Sequence, residues 1–303
     1  MRTPRRPTPR PAPEPHESAA ERFRDLDSYR ARREWLRYEG TAQRDLFREL
    51  RERFLLRHSA GEGWVLDIGS GPGRFLPFVG RDESNRVALD LSREMLKRIP
   101  DVWVNSGRKG PVPSRVLGDA LRPPLEPGHW AEVVALGNPL GFAGPEADRL
   151  LETMEDLVRP GGSLLLEVAP SSGERSRYLG RLPPSSLSRF LRAPVPAVLA
   201  RLDREGFRPE PSRKVTEGSF RRFPPLELHE RWRRSGWEVI ESMAVAPALG
   251  ADPRRSAAVR SDHQAWSHLL DLEEQVGRRR ERWSGAAAVL LCARSPPSKR
   301  TVK

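Results

Sequence analysis

The segment that most constrains the fold of this 303-residue chain runs from Val65 to Phe75 and reads VLDIGSGPGRF. It begins with an apolar run of strand length. Three glycines then occupy every second position, and because glycine has no Cβ, such a turn lets the backbone approach a ligand closely. The segment therefore predicts a buried strand, a ligand-binding turn and the start of a helix.

The glycine spacing and the acidic residue before it indicate the kind of ligand. The spacing is G-x-G-x-G, whereas nicotinamide-binding folds use G-x-G-x-x-G, and the position of their last glycine is Arg74 here. Asp67 lies inside the strand just before the glycines. A carboxylate there would repel a pyrophosphate and attract an amino group. The turn therefore favours a cationic ligand and disfavours a nicotinamide dehydrogenase.

Further strands follow at regular intervals, so an α/β fold with a parallel sheet is expected. The segments with the composition of strands are 86–90, 116–120, 131–138 and 163–168. The first ends in Asp90, which can accept hydrogen bonds from both hydroxyls of a ribose. The second carries Asp119, which can accept from an adenine amino group. The segment 159–162, Arg-Pro-Gly-Gly, is predicted to be the turn that closes a helix before the last of these strands.

Helical periodicity and breaking residues organise the rest of the chain. Helices are predicted over 18–58 with a break at Gly40 and a cap at Thr41, over 185–192, 195–205, 226–234 and 263–283, and strands over 236–243 and 286–293. Ser92 is predicted to cap the helix that follows the second strand. Three prolines between Asp119 and Ala131 predict a loop where the next helix of the alternation would stand.

With these motifs in register, the chain resembles the class I S-adenosylmethionine-dependent methyltransferases. The resemblance rests on five segments: VLDIGSGPGRF, VALDLSREML, LGDALRPPL, AEVVALGNPLGF and LVRPGGSLLLEV. They cover roughly residues 63–168. The resemblance implies a seven-stranded, mostly parallel Rossmann-like sheet with helices on both faces, in which the seventh strand is antiparallel and forms a hairpin with the sixth.

The resemblance also implies S-adenosylmethionine as the cofactor and assigns residues to it. Asp67 and the glycine turn would face the methionine end, Asp90 the ribose, and Asp119 with Ala120 the adenine, while Gly137 and Asn138 would line the transfer site. The implied cofactor-binding residues are Asp67, Gly69, Ser70, Gly71, Gly73, Asp90, Leu91, Asp119, Ala120, Gly137 and Asn138.

Composition divides the chain into four parts. Residues 1–17 form an Arg/Pro-rich tail predicted to be disordered, 18–60 an N-terminal helical lid, 61–294 the methyltransferase domain, and 295–303 a second disordered tail. The domain carries an insertion over 169–235 with 15 Arg and Lys residues against 7 Asp and Glu residues. Insertions after the fifth strand are expected above the carboxyl ends of the strands, where ligands bind, so this insertion is expected to select the substrate.

No side chain is singled out as a general base. A sulfonium methyl group is already activated, so alignment of the acceptor and exclusion of water are the main requirements. The candidates are Asn138, Glu167, Tyr178 and His229. Asn138-Pro139 resembles the start of an amino-directed methyltransferase motif, but Leu140 and Gly141 replace its second proline and aromatic residue. The interpretation kept for Asn138 is that its amide orients the cofactor or the acceptor.

Three functions remain open at this stage. The first is methyl transfer to a small or medium-sized metabolite, because no RNA-binding module accompanies the core. The second is RNA methylation, in which the basic insertion binds phosphates; the net charge of +12 also fits an arginine-rich composition without function. The third is a cofactor-binding scaffold without catalysis, disfavoured by the complete glycine turn and its carboxylates.

The remaining expectations concern metals, location and assembly. A single cysteine, Cys292, and the absence of any C-x-x-C pair predict no disulfide and no metal. No apolar run of spanning length occurs and the N-terminus lacks the apolar core of a signal peptide, so a cytoplasmic protein without a membrane partner is expected. The sequence does not indicate an oligomeric state.

Overall fold

The structure is a computed structural model, and it describes most of the chain from Gly40 onward. The described residues are 40–59, 63–80, 85–170, 173–176, 179, 181–205, 207–210, 216–217, 220–249, 253–286 and 288–297. The predicted tails (1–17 and most of 295–303), the predicted helix over 18–39 and the candidate Tyr178 lie outside these ranges.

A seven-stranded sheet forms the centre of the described chain. Its strands are β1 Val65–Ile68, β2 Arg86–Asp90, β3 Ser114–Leu117, β4 Trp130–Ala135, β5 Val158–Val168, β10 Glu238–Val245 and β11 Ala288–Arg294. They lie in the order β3-β2-β1-β4-β5-β11-β10. Neighbours from β3 to β5 are parallel, and β11 runs antiparallel to both β5 and β10. The predicted topology, including the antiparallel last strand, is confirmed.

Helices cover both faces of this sheet. They are α1 Ala42–His58, α2 Arg93–Leu96, α3 Ile99–Asn105, α4 Pro139–Ala143, α5 Ala147–Leu157, α6 Pro184–Leu191, α7 Val195–Glu205, α8 Pro225–Arg234, α9 Pro253–Arg260 and α10 His263–Gly277. Short 3-10 turns occupy Leu76–Phe78, Gly144–Glu146 and Arg280–Gly285. The predicted caps are present, since Thr41 accepts from the Arg44 amide and Ser92 from the Met95 amide.

Two apolar cores, one on each face, hold the helices to the sheet. One core joins α1, α3, α6, α7, α9 and α10, with Phe54 and Leu269 fully buried. The other joins α5 and α8, where Trp232 is fully buried and its indole N–H donates to Glu155 at 2.9 Å. Burial of such large apolar side chains on both faces is the main stabilising contribution to this architecture.

Several predicted boundaries are wrong by a few residues. β3 ends at Leu117, so Asp119 follows the strand instead of closing it. β5 begins at Val158 and includes the predicted turn 159–162, because Val158 pairs with Trp130 before the register shifts; the left-handed Gly161 (φ 74°) lies within this irregular stretch. The predicted helix over 263–283 ends at Gly277 and is followed by a 3-10 turn.

The insertion over 169–235 contains the three helices predicted within it, α6, α7 and α8, and also short strands that were not predicted. These strands are β6 Gly173–Ser176, which pairs with β7 Phe207–Glu210, and β8 Thr216–Glu217, which pairs with β9 Phe220–Arg221. Helices α6 and α7 pack against α10, and α6 also against α9. The apolar faces of these helices belong to one of the two cores beside the sheet, and the expectation that the insertion lies above the ligand-binding edge stays a prediction.

Candidate functional site

A cavity of about 230 Å³ opens at the carboxyl ends of the central strands. Its lining residues come from the β1, β2, β3 and β4 ends and from α2, α4 and α5: Ile68, Gly69, Ser70, Gly71, Pro72, Arg74, Phe75, Leu89, Asp90, Leu91, Met95, Gly118, Asp119, Ala120, Leu121, Leu136, Gly137, Pro139, Phe142, Ala143 and Leu150. Most of these residues are apolar. In a parallel α/β sheet this edge is where ligands bind.

The glycine turn forms one wall of the cavity in a conformation that requires glycine. Gly69, Gly71 and Gly73 have φ of 66°, 55° and 78°, in the left-handed region that other residues rarely adopt. Apart from its two chain neighbours, no described residue has an atom within 4 Å of the position that a Cβ of Gly71 would take. A Cβ on Gly73 would instead lie 2.8 Å from Leu76 Cδ1, so Gly73 permits close packing behind the turn and does not line the cavity.

Asp90 fixes the glycine turn from the end of β2. Its Oδ2 accepts from the Gly71 amide at 2.7 Å, and its Oδ1 accepts from the Ser92 amide at 2.8 Å. Burial raises the pKa of Asp90, although these two amides oppose the shift. A carboxylate has about four acceptor positions, so each oxygen of Asp90 can accept one further hydrogen bond from a ligand in the cavity.

Asp67 lies beneath the turn and is almost fully buried, with 4% of its surface exposed. Burial raises its pKa to about 7, and the nearby negative charge of Asp90 adds to the shift. Among the described residues, no arginine or lysine forms an ion pair with Asp67. A buried carboxyl group without a counter-ion is costly to ionise, and a ligand that brings a positive charge would remove this cost.

The loop after β3 forms the opposite wall. Asp119 Oδ1 accepts from the Leu121 amide at 2.9 Å, which shapes the loop, and Gly118, Asp119, Ala120 and Leu121 all line the cavity. A Cβ on Gly118 would lie 3.1 Å from both Leu89 and Pro124. The prolines of this loop therefore lie close behind the cavity wall, and no helix occupies the stretch, as predicted.

Gly137 and Asn138, at the end of β4, both have left-handed backbones, with φ of 81° and 66°. Non-glycine residues in this region cluster at functional sites. Asn138 Oδ1 accepts from the Gly141 and Ala169 amides, each at 3.3 Å, so the side chain caps α4 and joins it to the end of β5. Gly137 lines the cavity, whereas Asn138 lies just behind it, with 7% of its surface exposed.

The two other candidates that the structure describes, Glu167 and His229, do not line the cavity. Glu167 is buried at the end of β5, where Arg51 of α1 donates to both of its oxygens and the Gly137 amide donates to Oε2. His229 belongs to α8, and its Nε2 lies 2.7 Å from Ser242 Oγ on the edge strand β10. In the sheet order, β11 and β5 separate this strand from β4.

Several residues that line the cavity were not predicted from the sequence to belong to the site. Phe75, Met95, Leu136, Phe142 and Leu150 make up much of its apolar surface. Of these residues, only Met95 could be singled out from the sequence, because it was predicted to lie on the apolar face of the helix after β2. Arg74, noted as a departure from the nicotinamide pattern, lines the cavity as its single described cation.

The described residues contain neither a metal-binding cluster nor a membrane-spanning helix. Within these ranges, no group of three or more His, Cys, Asp or Glu side chains is arranged to hold a metal ion. None of the helices in the same ranges combines the length and apolar composition that crossing a membrane requires.

Comparison with known families identifies the part of the chain that builds this cavity. Residues 65–162 match a family model described as a methyltransferase domain. The match begins at β1 and ends within β5, so it covers the glycine turn, the Asp90 and Asp119 loops and the end of β4. A search of curated proteins found no match.

Many solved structures share the fold. Magnesium protoporphyrin IX methyltransferase from Synechocystis PCC 6803, solved with bound SAH, is 13% identical with a TM-score of 0.51, covering 92% of this chain and 100% of that one. A Haloferax volcanii methyltransferase in complex with the Trm112 activator is 18% identical (TM-score 0.49; 90% and 97% covered). Geranyl diphosphate C-methyltransferase from Streptomyces coelicolor A3(2) is 13% identical (TM-score 0.42; 80% and 78% covered). At these identities the likeness is one of fold.

Proposed function

We propose that this chain, which belongs to the class I S-adenosylmethionine-dependent methyltransferases, transfers the methyl group to a small or medium-sized metabolite. The observation that supports the proposal is the largely apolar cavity at the carboxyl ends of the strands, which the glycine turn, Asp90 and Asp119 line. When bound, the cofactor supplies an electrophilic methyl group on its sulfonium.

The residues at this edge fit the chemical groups of the cofactor. Asp67 offers a buried carboxyl without a counter-ion, which fits the amino group of the methionine end. Asp90 keeps acceptor positions for the ribose hydroxyls while it braces Gly71. Asp119 and Ala120 would frame the adenine from the β3 loop. These assignments are proposals that follow from charge, burial and the acceptor capacity of each side chain.

The acceptor would enter between the glycine turn and α4. Phe142, Ala143 and Leu150 give this side of the cavity an apolar surface that excludes water. Beside this surface Gly137 lines the cavity, and the buried Asn138 follows it in the chain. An apolar wall with few polar groups suits an acceptor that presents one nucleophilic atom on a largely apolar framework. The chain's contribution to catalysis would then be alignment of that atom with the methyl group.

The charges of the insertion support a small acceptor over RNA. Six of its described arginines contact carboxylates within the chain: Arg181 and Arg201 with Glu205, Arg192 with Asp262, Arg221 with Asp148, Arg231 with Glu155, and Arg234 with Glu230. These carboxylates offset much of the positive charge that phosphate binding would use. RNA methylation by the insertion stays the alternative hypothesis.

The decisive experiment transfers radiolabelled methyl groups from S-adenosylmethionine into a cell extract, which is then separated into RNA, protein and small molecules. The Asp67→Ala variant is the control. Label in the small-molecule fraction that disappears with this variant supports the proposal. Label in the RNA fraction with the same dependence would favour the alternative, and it predicts binding that weakens steeply with salt.

Two substitutions of Asn138 test whether its amide orients the acceptor. Asn138→Asp keeps an oxygen for the Gly141 and Ala169 amides but removes the N–H donors, whereas Asn138→Gly keeps the left-handed backbone and removes the whole side chain. We expect Asn138→Asp to lower kcat by about tenfold while cofactor affinity stays within about threefold, since one hydrogen bond is lost. An unchanged kcat in both variants would exclude Asn138 from this role.

A further inference from the structure

A buried ion pair connects the N-terminal helix α1 to the rim of the cavity. The Arg51 Nε donates to Glu167 Oε2 at 2.8 Å, and Nη2 donates to Oε1 at 2.6 Å. The two side chains are only 7% and 4% exposed, although 116 residues separate them in sequence. Removing two charges from water is costly. Apolar side chains would join α1 to the sheet without this desolvation cost.

The pair also holds one peptide group of the cavity wall. Glu167 Oε2 accepts from the Gly137 amide at 3.0 Å. The Leu136–Gly137 peptide is trans, as are the other peptide bonds of the described residues, and in a trans peptide the N–H and the preceding C=O point in opposite directions. The bond to Glu167 therefore directs the Leu136 carbonyl away from Glu167. Leu136 and Gly137 both line the cavity.

Arg51 keeps Glu167 ionised for this purpose. Burial alone would raise the pKa of Glu167, but the charge and hydrogen bonds of Arg51, with the Gly137 amide, hold the pKa below its ordinary value. A carboxylate accepts a stronger hydrogen bond than a neutral oxygen. Arg51 is itself fixed, because its Nη1 donates to the Phe47 carbonyl at 2.8 Å within α1.

We propose that Arg51 and Glu167 are positioning residues for the methyltransferase reaction. They hold the Leu136–Gly137 peptide of the cavity wall in the orientation that binds the cofactor, and they tie α1 to that wall. The inference deepens the proposed function and rests on its cofactor site, but it does not depend on the class of acceptor.

Two double variants separate positioning from simple packing. Arg51→Met with Glu167→Met removes both charges and the acceptor oxygen. Arg51→Met with Glu167→Gln removes both charges but keeps an oxygen that can accept from Gly137. Arg53→Met is the matched control, because Arg53 lies on the same helix and pairs with Asp271 and Glu274 of α10, neither of which lines the cavity.

The measurement is the Kd for S-adenosylhomocysteine by calorimetry, together with the thermal midpoint. We expect the Met/Met variant to bind about tenfold more weakly than wild type, and the Met/Gln variant within about threefold, as for one hydrogen bond to a buried peptide. Arg53→Met should bind as wild type does. Equal affinities in the two double variants would overturn the inference, because the accepting oxygen would then have no effect.

If a double variant does not fold, Glu167→Asp and Arg51→Lys provide the same test with smaller changes. Glu167→Asp keeps the charge but withdraws the carboxylate from Gly137 by one methylene, and weaker cofactor binding with a nearly unchanged thermal midpoint is expected. Wild-type affinity in both single variants would overturn the inference. A wild-type protein that does not bind S-adenosylhomocysteine would instead overturn the proposed cofactor site.

Discussion

Cofactor affinity should depend on pH through Asp67. Burial raises the pKa of this carboxyl to about 7 in the free protein. A bound ammonium or sulfonium would favour the ionised form, so binding would release a proton from every molecule in which Asp67 is protonated. Affinity should therefore increase as the pH rises through 7. From a pKa of about 7, the apparent Kd should be about 25-fold larger at pH 5.5 than at pH 7.5, which is about 2 kcal/mol.

The assay is calorimetric titration of S-adenosylhomocysteine at these two pH values, in buffers of different ionisation enthalpy so that proton release is counted directly. Asp67→Asn is the matched variant, since it keeps the size of the side chain and cannot titrate. We expect it to bind more weakly at pH 7.5 and to lose most of the pH dependence. A wild-type Kd that is the same at both pH values, or a full pH dependence in Asp67→Asn, would refute the reasoning.

Three further predictions concern stability. Gly73→Ala should cost about 2–5 kcal/mol in urea unfolding, because a left-handed alanine costs about 1–2 kcal/mol and its Cβ, 2.8 Å from Leu76 Cδ1, adds about 1–3 kcal/mol of overpacking. Gly107→Ala has a similar left-handed backbone, but beyond its chain neighbours no described atom lies within 4 Å of the new Cβ, so it should cost only about 1–2 kcal/mol. Ser92→Ala should lower stability by about 1 kcal/mol through loss of the cap of α2, and a neutral result would contradict this. Burial raises the pKa of Glu273 to about 7, so its stabilising effect is present below its unfolded pKa of about 4.5 and is lost as pH rises through 7. Relative to wild type, Glu273→Gln should therefore gain about 2.5 kcal/mol between pH 5 and pH 8, and parallel pH profiles of the two proteins would contradict this.

Much of the sheet could be predicted because its signals are local. Strands are specified within a few residues by the apolar run before the glycines and by the runs that end near Asp90 and Asn138. A loop is specified in the same way by the prolines after Asp119. Boundaries were less accurate where pairing decides them. β5 extends back to Val158 because Trp130 pairs with it, and this contact depends on the neighbouring strand.

The arrangement of the insertion could not be predicted for a related reason. Its helix α7 has the expected bounds and α6 is shifted by one residue, since their apolar periodicity is strong. Nothing in that periodicity states which surface the apolar face will cover. In the structure this face packs against α10, with α6 also against α9, while Arg221 lies beside Gly141 of α4 and Phe223 pairs with Pro170 just after β5.

By itself, the sequence determined two local features of the candidate site. One is a turn that requires glycine, and the other is the set of carboxylates near the ends of successive strands. These features follow from backbone conformation and from hydrogen bonds between near neighbours. Only the tertiary structure decided which of the buried carboxylates has a cation partner within the described chain. Glu167 and Asp67 are similar in sequence context, since each is an acid within a buried strand, but Arg51 reaches Glu167 from 116 residues away and no described cation pairs with Asp67. A buried charge takes its role from its partner, and the partner is chosen by packing.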